Sequence, residues 1–180
     1  MKTIVLINGV ARSGKDTFAE MLVSCLNHQN KLGIILPNAL GVKEVASKVY
    51  GWNGDKDEKG RSLLIDITNT GYKYDKYFWE NYSNQHLRHL EKMVNYKFDY
   101  VLVPDFRYPV TKTYYECLGY RVVTIYIARP EFDNELGVNK YDVSEMPLDV
   151  EFDFTVLNDS DLDNLRVYAR HISSKLMGVK

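Results

Sequence analysis

Short apolar runs alternate along this chain with longer stretches of helical periodicity. The runs lie at residues 3–7, 33–36, 100–103, 122–127 and 154–157, and β-branched side chains are frequent in them. Continuous apolar runs of this length are typical of strands that are buried on both faces of a parallel sheet. The pattern predicts five parallel strands joined by right-handed helical crossovers, because parallel neighbours cannot be joined by a tight turn.

Apolar residues at helical spacing predict helices between these strands. The first helix follows the run at 3–7 and presents one apolar face, made by Phe18, Met21, Leu22, Cys25 and Leu26. A second covers residues 111–118 and ends at Gly119. The last has an apolar face made by Leu162, Leu165, Tyr168, Ala169, Ile172 and Leu176. Its candidate N-terminal caps are Asn158, Asp159 and Ser160.

Two stretches interrupt this alternation of strands and helices. Residues 39–97 are rich in aromatic and charged side chains and contain helical stretches, whereas residues 130–147 are polar and show no strand pattern. We expect both to be excursions from the sheet of a single domain, 1–180, because 180 residues suit one domain of ordinary size.

Composition and charge exclude several classes of protein. The chain is 45% hydrophobic and 26% charged, as in globular proteins, and its net charge of −1 gives no bulk attraction to nucleic acid or an anionic membrane. No run approaches the roughly 18 apolar residues of a membrane span, so a cytoplasmic location is expected. Because the chain as a whole is nearly neutral, an anionic ligand would need a locally basic site.

Cysteine and histidine positions suggest neither a disulfide framework nor a metal centre. Cys25 and Cys117 lie far apart and match no ligand spacing, and we expect both to be buried apolar residues in a reducing compartment. The four histidines form no ligand pattern.

The segment that follows the first strand has the spacing of a phosphate-binding loop. It reads Gly-x4-Gly-Lys, and its candidate nucleotide-binding residues are Gly9, Ala11, Arg12, Ser13, Gly14, Lys15, Asp16 and Thr17. Glycines allow close backbone approach, and the next helix adds its dipole and unpaired N–H groups. Lys15 can then reach the β- and γ-phosphates. The alternative is a glycine-rich turn with a solvated lysine.

The residue after Lys15 departs from the usual motif. That position normally carries a Ser or Thr that binds Mg²⁺, but here it is Asp16, and the hydroxyl comes one residue later at Thr17. Asp16 either binds Mg²⁺, directly or through water, or is a carboxylate that favours the helix N-terminus. Arg12 is expected to act on the bound phosphates because it lies inside the loop.

The loop resembles a known family, and the resemblance extends over most of the chain. Arg12-Ser13-Gly14-Lys15-Asp16-Thr17 is similar to the loop of phage and bacterial deoxynucleoside monophosphate kinases, which belong to the P-loop nucleoside monophosphate kinase superfamily. Further matches lie at 43–46, 51–52, 56–57, 60–64, 127–130, 144–145 and 158–159, and residues 105–109 resemble the family's Asp-x-Arg-Phe-Pro motif. The chain departs from the family at 110–111, which is Val-Thr instead of Asn-Glu, and in residues 130–147, which hold no arginine.

The resemblance implies a fold and a reaction. The fold would be a three-layer α/β P-loop domain with strand order 2-3-1-4-5, a substrate-binding excursion at 39–97 and a lid at 130–147. The reaction would transfer the γ-phosphoryl group of ATP, with Mg²⁺, to a (deoxy)nucleoside monophosphate. That monophosphate is the expected partner, whereas neither nucleic acid nor a membrane is. Whether the chain forms a homodimer is left open.

Residues outside the loop are assigned on position and chemistry. Asp105 follows an apolar strand, where a carboxylate can organise Mg²⁺ together with Asp16 and Thr17. It is also expected to border the substrate. The alternative is that Asp105 only caps the end of the strand. Arg107 lies at the same edge and suits the acceptor's phosphate, or else a surface ion pair. Arg129 comes directly before residues 130–147 and can stabilise the moving phosphoryl group. The alternative is that it is a solvated loop residue.

The remaining candidates lie in the excursion. Lys43 and Arg61 are expected to bind the acceptor's phosphate. The residues expected to act in catalysis lie outside the excursion and are Lys15, Arg12, Arg107 and Arg129. Trp52 and Trp79 either stack on a base or form a small core. Two alternative functions stay open: a kinase of dephospho-coenzyme A or another phosphorylated metabolite, and a non-catalytic nucleotide-binding regulator.

Overall fold

The computed structural model describes residues 1–130, 148 and 150–178, and the chain divides into two compact units. The first unit comprises Met1–Ile35 and Lys97–Lys180, and the second comprises Leu36–Tyr96. Apart from Pro130, the lid expected at 130–147 lies outside the described residues. Within the described part of the chain, no helix combines the length and apolarity that crossing a bilayer requires.

A five-stranded parallel sheet forms the centre of the first unit. Its strands are β1 (Thr3–Asn8), β2 (Gly33–Ile35), β3 (Tyr100–Val103), β4 (Arg121–Ala128) and β5 (Phe154–Leu157). They pair in the order β2-β3-β1-β4-β5, which confirms the expected order. Residues 3–7 of β1 are buried because this strand is central and covered on both faces, as its uninterrupted apolar sequence predicts.

Helices cover both faces of this sheet. The described helices of the chain are α1 (Lys15–His28), α2 (Leu40–Tyr50), α3 (Glu58–Tyr74), α4 (Phe78–Met93), α5 (Pro109–Cys117) and α6 (Leu162–Leu176). The apolar faces of α1 and α6 share one core cluster with side chains of β1, β3, β4 and β5. On α5 the buried side chains are Thr111, Tyr114 and Tyr115. The three-layer α/β fold is therefore confirmed.

The cap expected for the last helix is wrong by a few residues. The N-cap of α6 is Asp161, whose carboxylate accepts a hydrogen bond from the backbone N–H of Asn164 at 2.9 Å. Asn158, by contrast, extends the pairing of β4 with β5, because its backbone N–H donates to the carbonyl of Ala128 at 2.8 Å. A residue whose backbone continues the strand cannot also begin the helix.

The expectation that both cysteines are buried is also wrong. Cys25 is half-buried on α1, and Cys117 is exposed at the last residue of α5. The buried face of α5 runs through residues 111, 114 and 115, so position 117 falls outside it by helical periodicity.

Helices α2, α3 and α4 build the second unit around a small core of its own. The core is made by Val42, Ala46, Ile67 and Trp79. Trp79 is 3% exposed and its indole N–H donates to the carbonyl of Thr68 at 2.9 Å, so it is a core residue and not a stacking platform. Trp52 is half-buried and packs against the edge of this cluster.

Candidate phosphate-binding site

The loop between β1 and α1 has the backbone conformation that its glycine spacing predicts. Two of its residues have positive φ, Arg12 at 63° and Gly14 at 92°. Gly14 is the N-cap of α1 and supplies no side-chain cap, and the first helical bond runs from Phe18 N–H to the Gly14 carbonyl at 2.9 Å. The N–H groups of Lys15, Asp16 and Thr17 in the first turn therefore have no intrahelical acceptor. Such a helix N-terminus attracts anions.

Donors from the protein hold the carbonyl groups of this loop. The Val10 carbonyl accepts from Lys15 Nζ and from Ser13 N–H, both at 3.1 Å. The Arg12 carbonyl accepts from Arg129 Nη1 at 3.3 Å, and the Ser13 carbonyl accepts from Asn158 Nδ2 at 2.8 Å. With these carbonyls bound to donors of the protein, the loop is suited to present N–H groups to a ligand.

Close packing explains the glycine at each end of the motif. A Cβ atom on Gly9 would lie 2.5 Å from Ser13 Oγ and 2.7 Å from the backbone oxygen of Ile127 on β4. A Cβ on Gly14 would lie 2.5 Å from Asn158 Nδ2. The loop is thus packed against β4 and against the residue that follows β5.

Asp105 and Arg107 lie at the same sheet edge as this loop. Val103, the last residue of β3, pairs with Leu6 of β1, so Asp105 comes level with the end of β1. Two further hydrogen bonds join the segments: Phe106 N–H donates to the Ile7 carbonyl at 3.2 Å, and Asn8 Nδ2 donates to the Phe106 carbonyl at 2.6 Å. Asp105 and Arg107 are both half-buried there, and their roles stay predictions.

Arg129 follows β4, as expected, and the structure adds a contact with the loop. Its contact with the Arg12 carbonyl means that it holds the backbone of the loop. Arg12 itself is exposed, and Lys15 is half-buried. The catalytic roles of all three side chains stay predictions.

Asn158 is the residue at this site that sequence reasoning missed. The sequence suggests a helix cap there and a match to the family at 158–159, but no role at the loop. Its position directly after a strand of a parallel sheet could have indicated the site, because ligands of α/β folds bind at that edge. Ser13, which the motif includes, is completely buried, and its hydroxyl oxygen has no hydrogen-bond partner in the described structure.

The side chains near the loop suit Mg²⁺ held mainly by phosphates and water. Thr17 and Asp105 are half-buried, and Asp16 is exposed in the first turn of α1. Across the described residues there is no group of three or more His, Cys, Asp or Glu side chains that could hold a metal. One or two oxygen ligands from the protein are what Mg²⁺ in phosphoryl-transfer sites commonly has. Thr17, Asp16 and Asp105 are donors of that type.

In the second unit, Lys43 lines a groove along α2 but Arg61 does not. The groove has a volume of about 330 Å³ and is bordered by Leu40, Lys43, Glu44, Ser47, Lys48, Trp52, Asn53 and Gly54. Arg61 is exposed in the first turn of α3, where its Nε donates to the Lys56 carbonyl at 2.9 Å. The structure therefore does not bring these two predicted substrate-binding residues into one groove.

The charge balance of this groove depends on Glu44. Hydrogen bonds from Lys48 at 3.0 Å and from the Tyr82 hydroxyl at 2.8 Å lower the pKa of Glu44. The same bond raises the pKa of Tyr82, because ionised phenol would face a carboxylate. Glu44 thus pairs with Lys48, and Lys43 is the other cation among the described residues that border the groove.

Comparison with known proteins supports the fold. No protein-family model and no curated protein matches the chain. Among solved structures, APE1195 is 13% identical, with 99% of this chain and 96% of that chain covered and a TM-score of 0.50. The Mycobacterium tuberculosis APS kinase CysC, solved with AMPPNP and APS, is 11% identical, with 99% and 96% covered and a TM-score of 0.48. The similarity to APE1195 supports the α/β fold described above and does not identify a substrate.

Proposed function

We propose that this protein is an ATP-dependent phosphotransferase that phosphorylates a small phosphorylated acceptor, with a (deoxy)nucleoside monophosphate as the first candidate. The observation that carries the proposal is the loop after β1: its carbonyls are bound by Lys15, Arg129 and Asn158, while the first N–H groups of α1 have no intrahelical acceptor. This arrangement suits the phosphates of a nucleoside triphosphate.

Each residue near the loop has a role in this proposal. The backbone N–H groups of residues 14–17 and the ammonium group of Lys15 bind and orient the phosphates of the donor. Arg12 and Arg129 offset the charge that develops as the phosphoryl group moves, and Arg107 binds the acceptor's phosphate. The acceptor's phosphate oxygen is the nucleophile, so the protein contributes position and electrostatic stabilisation and needs no covalent intermediate.

Magnesium fits the proposal through oxygen donors. Asp105 would hold it, together with Thr17 or Asp16, and the metal would neutralise charge on the donor's phosphates. The roles proposed for the arginines are the same whichever of these oxygens would bind Mg²⁺ directly.

The acceptor is assigned on the resemblance to deoxynucleoside monophosphate kinases. Lys43 and Trp52 border one groove of the second unit, and a cation beside an indole ring suits a phosphorylated aromatic compound. Two alternatives are kept because the donor site would be the same: a kinase of dephospho-coenzyme A or another phosphorylated metabolite, and a nucleotide-binding regulator without turnover.

A coupled assay of ADP formation over a panel of acceptors separates these functions. We expect ADP formation with one or more nucleoside monophosphates, deoxy forms included. Turnover only with dephospho-coenzyme A or another phosphorylated metabolite would support the first alternative. ATP binding without acceptor-dependent turnover would support the regulator and contradict both kinase functions.

The matched pair Lys15→Ala and Lys31→Ala tests the donor site in the same assay. Lys15→Ala removes the cation that reaches the phosphates, and we expect turnover to fall to background while circular dichroism is unchanged. Lys31→Ala removes an exposed lysine shortly after α1 and should retain full activity. Activity retained by Lys15→Ala would refute the assigned donor site.

A further inference from the structure

We propose that Asn158 is a positioning residue for phosphate binding: its side-chain amide orients the peptide group between Ser13 and Gly14, and so aims the Gly14 N–H at the donor's phosphates. The inference rests on the proposed function only as far as ATP binding by the loop, and it does not depend on which acceptor is used.

The main chain of Asn158 is fixed by the sheet. Leu157, the last residue of β5, pairs with Ala128 of β4, and the Asn158 N–H then donates to the Ala128 carbonyl at 2.8 Å. This bond continues the ladder one residue beyond the strand. The side chain of Asn158 therefore projects from a rigid part of the first unit, which is what an orienting contact requires.

The side-chain amide acts on one peptide group of the loop. Asn158 Nδ2 donates to the Ser13 carbonyl at 2.8 Å. No peptide bond in the described structure is cis, so the Ser13 carbonyl and the Gly14 N–H point in opposite directions within one planar group. Holding the oxygen toward β5 therefore turns the N–H the other way. In the described part of the chain, that N–H has no acceptor.

The peptide group between Arg12 and Ser13 is held at both its carbonyl and its N–H, whereas the group between Ser13 and Gly14 is held at its carbonyl. The Arg12 carbonyl accepts from Arg129 at 3.3 Å, and the N–H of the same peptide group, that of Ser13, donates to the Val10 carbonyl at 3.1 Å. In the described structure, the carbonyl of the next peptide group, that of Ser13, accepts from Asn158 alone. Without that contact, a glycine at φ 92° leaves this peptide group able to rotate.

Gly14 and Asn158 depend on each other sterically. A Cβ atom at position 14 would lie 2.5 Å from Asn158 Nδ2, closer than non-bonded atoms approach. The second glycine of the motif thus provides both the left-handed backbone and the space that the asparagine amide occupies. This close fit distinguishes Asn158 from an asparagine that merely ends a strand.

Two variants with different chemistry test the proposal, with binding of ATP and of inorganic pyrophosphate measured by calorimetry. Asn158→Ala removes the donor but keeps the backbone N–H, and we expect the Kd of ATP to rise about three- to tenfold, the worth of one uncharged hydrogen bond. Asn158→Asp keeps the shape but places a carboxylate against the Ser13 carbonyl, so the loss should be larger. Both ligands should lose affinity by the same factor, because the defect lies in the loop.

The control is Asn164→Ala, which removes an exposed asparagine side chain in the first turn of α6 and should bind both ligands as the unaltered protein does. In the kinetic assay, Asn158→Ala should raise the KM for ATP and leave the KM for the acceptor unchanged, a split that a general loss of stability would not produce.

The outcomes separate this inference from the proposed function. Unchanged ATP binding in both Asn158 variants would overturn the positioning role alone. Weaker ATP binding with unchanged pyrophosphate binding would also overturn it, because Asn158 would then act on the nucleoside. Altered binding without any turnover in the unaltered protein would support the positioning role while contradicting the kinase. An unaltered protein that binds neither ligand would overturn both.

Discussion

At the scale of single residues, the two glycines of the loop meet different requirements. Gly9 is needed for space, because a Cβ atom there would meet the hydroxyl of Ser13 and the backbone oxygen of Ile127. Gly14 is needed for both conformation and space, since its φ is 92° and the Asn158 amide lies beside it. An alanine at position 14 would therefore meet strain and a clash together.

The two thiols differ in environment, and this predicts different reactivity. Burial raises the pKa of Cys25, and nearby Arg170 only partly offsets the effect, whereas Cys117 is exposed. The thiolate is the reactive form, so at neutral pH we expect iodoacetamide to label Cys117 faster than Cys25. As the pH rises above the ordinary thiol pKa, the difference should narrow. Mass spectrometry of the labelled peptides over time measures both rates.

The single variants Cys25→Ser and Cys117→Ser assign the two rates. Faster labelling of Cys25 at neutral pH would contradict the packing of α1 described above.

At the scale of elements, the start of α6 is decided by one carboxylate. Asp161 accepts from the N–H of Asn164 at 2.9 Å, and Asp159 is exposed two residues earlier. Asp161→Ala should lower the free energy of unfolding by about 1 kcal/mol, the usual worth of an N-cap. Asp159→Ala should leave it unchanged. Urea unfolding of the two variants gives the comparison.

Equal losses in both variants would mean that the helix does not begin at Asp161. The same experiment separates the structural role of this segment from the functional role proposed for Asn158, since no hydrogen bond or ion pair joins either aspartate to residues 9–17 in the described structure.

At the scale of the whole molecule, ligand binding should stabilise the fold through the first unit. The phosphate loop belongs to that unit, and a ligand at 100 times its Kd adds about 2.7 kcal/mol to the free energy of unfolding. We expect ATP at such a concentration to raise the melting temperature of the unaltered protein and of Lys31→Ala, but not that of Lys15→Ala. Differential scanning calorimetry measures the shift.

Hydrogen exchange then locates the effect. ATP alone should slow exchange of amides in residues 9–17, and a bound acceptor should add protection within residues 36–96. Protection by ATP confined to the second unit would contradict the assigned donor site.

Strong local signals account for what could be predicted. Residues 3–7 are apolar at every position except Thr3, and this pattern indicates a central strand without knowledge of its neighbours. The spacing of Gly9, Gly14 and Lys15 likewise specifies a loop followed by a helix N-terminus. The strand order came from the resemblance, because pairing between distant strands leaves no periodic signal in any one of them.

The errors arose where several elements compete for one residue. An asparagine after a strand has the chemistry of a helix cap. Only the hydrogen bond from the Asn158 N–H to the Ala128 carbonyl shows that its backbone continues the strand. Lys43 and Arg61 are both cations of the same excursion, and α2 and α3 carry them to different surroundings, but their part in binding the acceptor stays a prediction.

The sequence by itself therefore determined where the five strands, the three helices next to them and the glycine loop after β1 lie, because each of these leaves a local pattern of residue types. Only the tertiary structure decided how the loop is held. Its carbonyls are bound by Arg129 and Asn158, which lie 117 and 145 residues away from their partners. Hydrogen bonds over such distances follow from the packing of β1, β4 and β5, and no local pattern of residue types encodes them.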